Sequence, residues 1–267
     1  MKKSRLAGQS FPNGILIKSK KNWALALENG DVQFGSSSSW LDHHPRLDIF
    51  FFRSVIAFFE SIAFSYRMQR DLSSDGGRSF LRPLIYYLII IIPISLIVAK
   101  PNVPTPWLTH AGLQIFSFIV AFYLFFKMLP GNIWSFHGAE HKVVHAHEQN
   151  IDLDDLDAVA ECSRVHNRCG TNLVTFFAAA SFLRLPALPP LASMVGTVGY
   201  VFLYVGICIE LFRLVVSAPK FALSRMLLAP GRLLQKYVTT KEPNHDQLAV
   251  AVKATKTVLA LDDMKKA

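Results

Sequence analysis

Residues 82–100, RPLIYYLIIIIPISLIVAK, decide the predicted fold, because no charged residue lies between Arg82 and Lys100. A second stretch, residues 107–126, contains no Asp, Glu, Lys or Arg. Each stretch approaches the roughly 20 apolar residues that cross a bilayer core. The pattern predicts a transmembrane hairpin over residues 83–126.

A second apolar pair follows a polar segment, over residues 169–183 and 185–209, with Arg184 between its two halves. The whole chain of 267 residues is 51% apolar, and its mean hydropathy is +0.30. Both values are high for an ordinary soluble domain. The sequence therefore predicts a mainly α, polytopic α-helical membrane protein, with about four spans arranged as two hairpins.

The basic residues predict how these spans are oriented. The chain has 28 Lys and Arg against 19 Asp and Glu, for a net charge of +9. The two short turns hold only Lys100 and Arg184, and the other basic residues lie in the two terminal regions and the central loop. The positive-inside bias places those three regions in the cytoplasm, in a multi-pass protein of the cell membrane. The lipid bilayer is then the expected partner, and nucleic acid is not, because no basic cluster is interleaved with aromatics.

The remaining segments predict small cytoplasmic elements around the spans. Residues 15–17, 23–27 and 32–34 alternate as strands, with an Asn29-Gly30 turn signal. Residues 49–68 carry Arg53, Glu60 and Arg67 at seven-residue spacing, which favours an amphipathic helix at the interface over a span. The expected organisation is a β-sheet region (1–40), an amphipathic helix (41–82), hairpin 1 (83–126), a His/Cys loop (127–168), hairpin 2 (169–209) and amphipathic C-terminal helices (210–267). Within the last region, residues 211–234 read as amphipathic helices broken at Pro219 and Pro230, and residues 247–261 as a terminal helix.

A histidine-rich motif in the central loop carries the chemistry: FHGAEHKVVHAHE, residues 136–148. At 100° per residue, a helix places His137, His141 and Glu148 on one side, with Glu140 and His145 at its edges. Two histidines four residues apart can bind one transition metal from successive turns. An adjacent carboxylate can then act as a ligand or as a general base.

A second set of donors follows at His166 and Cys169, three residues apart. If this segment packs against the first helix, His137, His141, His166 and Cys169 complete one metal site, with Cys162 as a substitute ligand. Mixed nitrogen and sulfur ligands favour zinc, with iron or manganese as alternatives once carboxylates join. Glu140 would orient or deprotonate a water molecule, and Glu148 or Glu210 would be the second carboxylate.

Structural roles compete with these assignments. His145 and His147 can be ordinary hydrogen-bonded surface residues, Cys208 a packing residue within the fourth span, and Glu210 the partner of Arg213 one helical turn later. Three cysteines are too few for a secreted disulfide framework.

The motif residues also resemble a known family. Residues 136–142, Ala146, Glu148, Ser163, His166 and residues 168–171 resemble the signature of the YqhQ-like bacterial membrane proteins, described as predicted metal-dependent enzymes of unknown function. The resemblance extends to Gly8-Gln9 and Asn13-Gly14 at one end, and to Gln235, Thr239-Thr240 and Glu242-Pro243 at the other. It implies a bacterial inner-membrane protein with a metal site, and it supplies no substrate.

The functional hypothesis is a cytoplasm-facing integral membrane metalloenzyme that hydrolyses a membrane-proximal substrate. The first alternative is a membrane adaptor or assembly factor with a structural metal site and a protein partner. A transporter is the second alternative, although the predicted spans offer few polar groups besides His110, Gln114 and Glu210. The sequence is silent on oligomeric state.

Overall fold

The N-terminal residues form a four-stranded antiparallel sheet in the order β1-β2-β3-β4. Its strands are β1 (Ala7–Phe11), β2 (Gly14–Lys18), β3 (Asn22–Leu27) and β4 (Val32–Ser36). The three predicted strands are present, and β1 adds a fourth that pairs with β2 from Ala7↔Lys18 to Phe11↔Gly14. Gly30 lies in the β3–β4 turn with a φ of 92°, a left-handed conformation that favours glycine.

The structure, a computed structural model, describes residues 4–72, 129–182 and 194–264, together with residues 112, 116, 120 and 123. Eight α-helices lie in these ranges, and two of them are linked to short segments of other helical types. The α-helices are α1 (Trp40–His43), α2 (Phe52–Leu72), α3 (Asn132–Gln149), α4 (Leu156–Ala160), α5 (Gly170–Phe182), α6 (Met194–Ser217), α7 (Ala222–Leu234) and α8 (His245–Met264). A 3-10 turn, Pro45–Leu47, follows α1, and a π turn, Gln235–Thr239, continues α7.

The chain divides into two compact units. The first consists of Met1–Phe50, Gly131–Thr175 and Ile209–Ala267, and the second of Phe51–Pro130 and Phe176–Cys208. In the second unit, the Tyr204 hydroxyl donates to the Phe177 carbonyl oxygen at 2.5 Å, and Gly206 leaves room for the Phe51 ring.

The core of the first unit lies between the sheet and helices α3 and α8. Ile15 and Ile17 of β2 alternate toward it, as the period of two in a strand requires. Phe136 and Val143 of α3 enter from the helical side, and Val258 is one of several α8 residues that complete the core. This packing holds the histidine-bearing helix α3 against the N-terminal strands.

The prediction of a polytopic membrane protein is wrong. In the ranges that the structure describes, no single helix is both long enough and apolar enough to cross a membrane. The second predicted hairpin, residues 169–209, lies partly outside the described residues, which do not include 183–193. Two segments, Phe202–Ser217 and Ala222–Thr239, reach the required length and composition only together, and they are bent by 114°. The first predicted hairpin, residues 83–126, falls almost wholly outside the described residues.

Two of the smaller predicted helices are present in the structure, but the helix break predicted at Pro230 is not. The amphipathic segment 49–68 lies largely in α2, and the terminal helix lies in α8. The chain leaves α6 at Ser217, two residues before Pro219, as predicted. Pro230, in contrast, lies inside α7 and does not end it. The single π turn that follows starts five residues after this proline.

Candidate metal centre

Helix α3 carries the predicted histidine motif and is largely buried. His137 and His141 lie one turn apart, with ring centroids separated by 4.5 Å. His141 is 2% exposed, so its ring lies within the protein rather than on a solvated face. The helix ends at Asn150, which adopts the left-handed conformation common after a helix C-terminus.

Backbone carbonyl groups orient both histidine rings. The Nδ1 of His137 lies 2.7 Å from the Thr239 carbonyl oxygen, and the Nδ1 of His141 lies 2.6 Å from the Arg164 carbonyl oxygen. A carbonyl oxygen only accepts, so in each ring Nδ1 carries the proton and donates it. The Nε2 atom of each ring is therefore the nitrogen left to bind a metal. Hydrogen bonds from the non-coordinating ring nitrogen to a carbonyl group orient metal-binding histidines in this way.

Cys169 completes a group of three donors. Its Sγ lies 3.2 Å from the Nε2 of His137, directly before helix α5, where the Thr171 N–H donates to it at 3.4 Å. Nitrogen and sulfur ligands of a tetrahedral zinc ion are about 3.3–3.6 Å apart. The donor atoms of His137, His141 and Cys169 all lie within 4.8 Å of one another. Their spacing and their chemistry both fit a zinc ion.

Glu140 borders this triad from the side of strand β1. Burial raises the pKa of its carboxyl, and the opposing influences are the charge of His137 and a hydrogen bond from the Gly8 backbone. A Cβ atom on Gly8 would lie 2.4 Å from Cγ of Glu140. Glycine is therefore required at this point for the strand to approach the carboxylate.

His166, the fourth predicted ligand, lies in a neighbouring group with His145 and Glu148. Its backbone-facing Nδ1 accepts the Arg168 N–H at 3.2 Å, and its Nε2 lies 3.3 Å from a Glu148 oxygen. Both ring nitrogens are thus engaged. Glu148 also forms an ion pair with Arg168. Burial, followed by the charge of His145, lowers the pKa of His166 to about 4. This group is best described as a hydrogen-bonded network beside the triad.

The π turn Gln235–Thr239 connects the triad to this network. The carbonyl oxygen of Thr239 accepts a hydrogen bond from Nδ1 of His137. The side-chain Oε1 of Gln235 accepts one from the backbone N–H of His166 at 2.8 Å. The Thr240 N–H donates to the Gln235 carbonyl oxygen, which closes the π turn. Single π turns are frequent at functional sites.

The other predicted residues lie apart from the triad. The Nε2 of His147 donates to the Ser4 carbonyl oxygen, and Cys162 is buried with its Sγ facing the Ala158 carbonyl oxygen. Glu210 lies 3.6 Å from the Arg213 guanidinium, as the structural alternative predicts. Cys208 is 1% exposed in the second unit. Of the three predicted carboxylates, Glu148 lies in the neighbouring group, Glu210 pairs with Arg213, and Glu140 interacts electrostatically with His137 of the triad.

Sequence reasoning did not assign roles to Gly8, Thr239 or the Arg164 carbonyl. The first two belong to the pattern of the family resemblance, and a glycine inside a strand is itself a signal of a close backbone approach. The Arg164 carbonyl has no such signal, because any residue type supplies a carbonyl group.

Comparison with known proteins places most of the chain in an uncharacterised group. Residues 49–261 match the family described as "Protein of unknown function (DUF1385)". The chain is also 24% identical to "Uncharacterized protein YqhQ" of Bacillus subtilis (strain 168), over 97% of this chain and 93% of that protein. These matches confirm the resemblance to YqhQ-like proteins. No solved structure matches the chain.

Proposed function

Because the chain belongs to the DUF1385 family, whose function is not known, we propose a function from its own residues. The protein is a metal-dependent hydrolase in which His137, His141 and Cys169 hold a zinc ion and Glu140 acts as the general base. The observation that carries the proposal is the triad itself, in which two imidazole nitrogens and one cysteine sulfur lie within 4.8 Å of one another. Structural zinc sites have four protein ligands, whereas catalytic ones have three and an open position. Within the described residues no fourth His, Cys, Asp or Glu joins this group.

The residues divide the work of the proposed reaction. A bound zinc ion supplies Lewis acidity and lowers the pKa of a water molecule. The hydrogen bonds from Nδ1 of His137 and His141 fix the rings, so that Nε2 points to the ion. Glu140, with its pKa raised by burial, is a stronger base than an exposed carboxylate and accepts the proton of the attacking water. A membrane-proximal substrate remains a prediction of the sequence.

Elemental analysis of the purified chain tests the ligand set. The chain should contain about one zinc ion, and both His141→Gln and Cys169→Ser should lose most of it. His147→Gln is the matched control, because that histidine lies on the same helix, donates to the Ser4 carbonyl and is not one of the three donors. Full zinc occupancy in His141→Gln and Cys169→Ser would disprove the assignment. His166→Gln distinguishes three ligands from four, and should keep its zinc.

The Glu140→Gln variant separates catalysis from a structural role. It should retain zinc and the unfolding temperature of the wild type while losing hydrolysis of p-nitrophenyl acetate or bis(p-nitrophenyl) phosphate by about 10²–10⁴-fold. A zinc-loaded wild type that hydrolyses neither compound, together with unfolding on chelation, would favour the structural site of an adaptor instead.

A further inference from the structure

Helix α7 exposes its apolar side chains instead of burying them. Its buried residues are Ser224, Leu228 and Gly231, of which only Leu228 has a large apolar side chain. At Gly231 the fit is close, since a Cβ atom would lie 2.0 Å from the Asn172 Oδ1. The opposite side, called here the outer face of α7, is formed by exposed apolar residues: Leu223, Met226, Leu227, Leu233 and Tyr237. Met226 is 65% and Tyr237 71% exposed. A helix of a water-exposed surface has the reverse arrangement.

The charges beside the outer face have one sign. Arg225 and Arg232 are seven residues apart, and Lys236 follows one turn later, so the three form a stripe along one edge of the outer face. All three are exposed. The sequence contains no Asp or Glu from residue 211 to residue 241. The outer face is therefore apolar with a cationic border, and its own stretch of the chain supplies no acidic residue to pair with that border.

The apolar outer face and its cationic border together indicate what kind of partner binds there. A second copy of the chain would bring a second cationic stripe against the first, which is unfavourable without acidic residues to pair with it. An anionic lipid surface satisfies both parts, because its headgroups attract Lys and Arg while the acyl boundary takes up Leu and Met. Tyr237 is of a type enriched at membrane–water interfaces.

We propose that the outer face of α7 docks on an anionic lipid surface, with the helix lying in the plane of that surface. The docking requires no helix to span the bilayer. Because α7 continues into the π turn whose Thr239 carbonyl holds His137, the docked helix would bring the triad close to the lipid. The docking itself does not depend on the hydrolase proposal.

A fluorescent label at one position of α7 tests the docking in the full chain. The Met226→Cys variant is labelled with an environment-sensitive fluorophore, and Met264→Cys, 75% exposed at the end of α8, is the matched control. The three natural cysteines are buried, and the labelled wild type measures their background. With phosphatidylcholine vesicles that contain phosphatidylglycerol, the label at position 226 should shift to the blue and be quenched by spin-labelled lipid. The label at position 264 should do neither.

The dependence of vesicle binding on the basic residues is tested separately, with its own control. Replacing Arg225, Arg232 and Lys236 by Gln should weaken the vesicle affinity by about a hundredfold, because each basic residue near an anionic surface contributes roughly fivefold. Replacing three other exposed basic residues, Arg5, Lys20 and Lys21, should change it little.

Three results would overturn the proposal. The first is an unshifted label at position 226, and the second is an equal shift with vesicles of phosphatidylcholine alone. The third is dissociation of a dimer in the Met226→Gln/Leu233→Gln double variant, measured by light scattering, without any response of the label to vesicles. That third result would assign the outer face to a second copy of the chain.

Discussion

Glu140 depends on a residue that has no side chain. Its carboxylate packs against Gly8 of β1, from which it receives a backbone hydrogen bond, and its buried carboxyl has a raised pKa. Residues 8 and 140 are far apart in the sequence, so the position of the proposed base is set by how β1 packs against α3. A methyl group at position 8 would meet Cγ of Glu140 at 2.4 Å and displace the carboxylate.

We therefore expect Gly8→Ala to keep zinc while lowering hydrolysis by about a hundredfold, the cost of an ångström-scale misplacement. It should also destabilise the fold by about 1–3 kcal/mol, the usual cost of overpacking. Gly131→Ala is the matched control, because a Cβ atom there meets nothing within 4 Å. Zinc content and turnover are measured on both variants. Unchanged turnover in Gly8→Ala would argue against Glu140 as the base.

His166 predicts how acid affects the metal-free protein. Its pKa falls from 6.5 in the unfolded chain to about 4 in the fold, so the unfolded state binds more protons between these two pH values. The stabilisation is complete above pH 6.5 and is lost as the pH falls toward 4. Its size is about 3 kcal/mol. Denaturant unfolding with EDTA present should show a smaller loss in His166→Gln than in the wild type over this range. Parallel pH curves would contradict the assignment.

At the scale of elements, the π turn positions a ring by its backbone alone. Its hydrogen bond spans five residues, from the Thr240 N–H to the Gln235 carbonyl, and this widening presents the Thr239 carbonyl to His137. No side chain at positions 236–238 is needed for the contact. An α-helical continuation, one residue shorter, would turn that carbonyl away from the ring by about 100°.

Deletion of Lys236 should convert the π turn to an α turn and leave His137 without its acceptor. We expect zinc affinity to fall by about 10–100-fold, the usual cost when a metal-binding histidine loses the hydrogen-bond partner of its other ring nitrogen. The far-ultraviolet circular dichroism should stay nearly unchanged. Lys236→Ala removes the same exposed side chain without changing the register, and should bind zinc like the wild type. Equal affinities of the two variants would mean that the turn has no positioning role.

The elements also show what the sequence can predict. Helical periodicity alone brings His137 and His141 together, because both lie on one rigid helix. The prediction that His166 joins Cys169 in the same site is not matched by the grouping of the donors. The Nδ1 of His166 accepts the Arg168 N–H, and its Nε2 contacts Glu148 of α3, and neither contact follows from helical periodicity. The spans were predicted from apolar composition, which does not fix where helices begin and end. The structure bends the chain by 114° between Phe202–Ser217 and Ala222–Thr239.

At the scale of the molecule, the site depends on three separated parts of the chain. Gly8, the α3 histidines and the π turn come from the three segments of the first unit. Helix α8 holds these segments together, because its Leu248 and Val258 pack with Ile15 and Ile17 of the sheet and with Phe136 and Val143 of α3. The donors therefore come together only when this core is formed, and a zinc ion bound at the proposed site would stabilise the fold.

Leu248→Ala tests this coupling, since Leu248 is 2% exposed and its truncation leaves a cavity in the core. The expected cost is about 2–5 kcal/mol of the free energy of unfolding. Leu223→Ala is the control, at a residue 62% exposed, and should cost little. Zinc at about 100 times its dissociation constant should return about 2.7 kcal/mol to the Leu248→Ala variant, because only the folded state assembles the site. Thermal unfolding with and without zinc measures both effects. The same zinc-dependent shift in a Leu248→Ala/Cys169→Ser double variant would show that the metal stabilises the chain elsewhere.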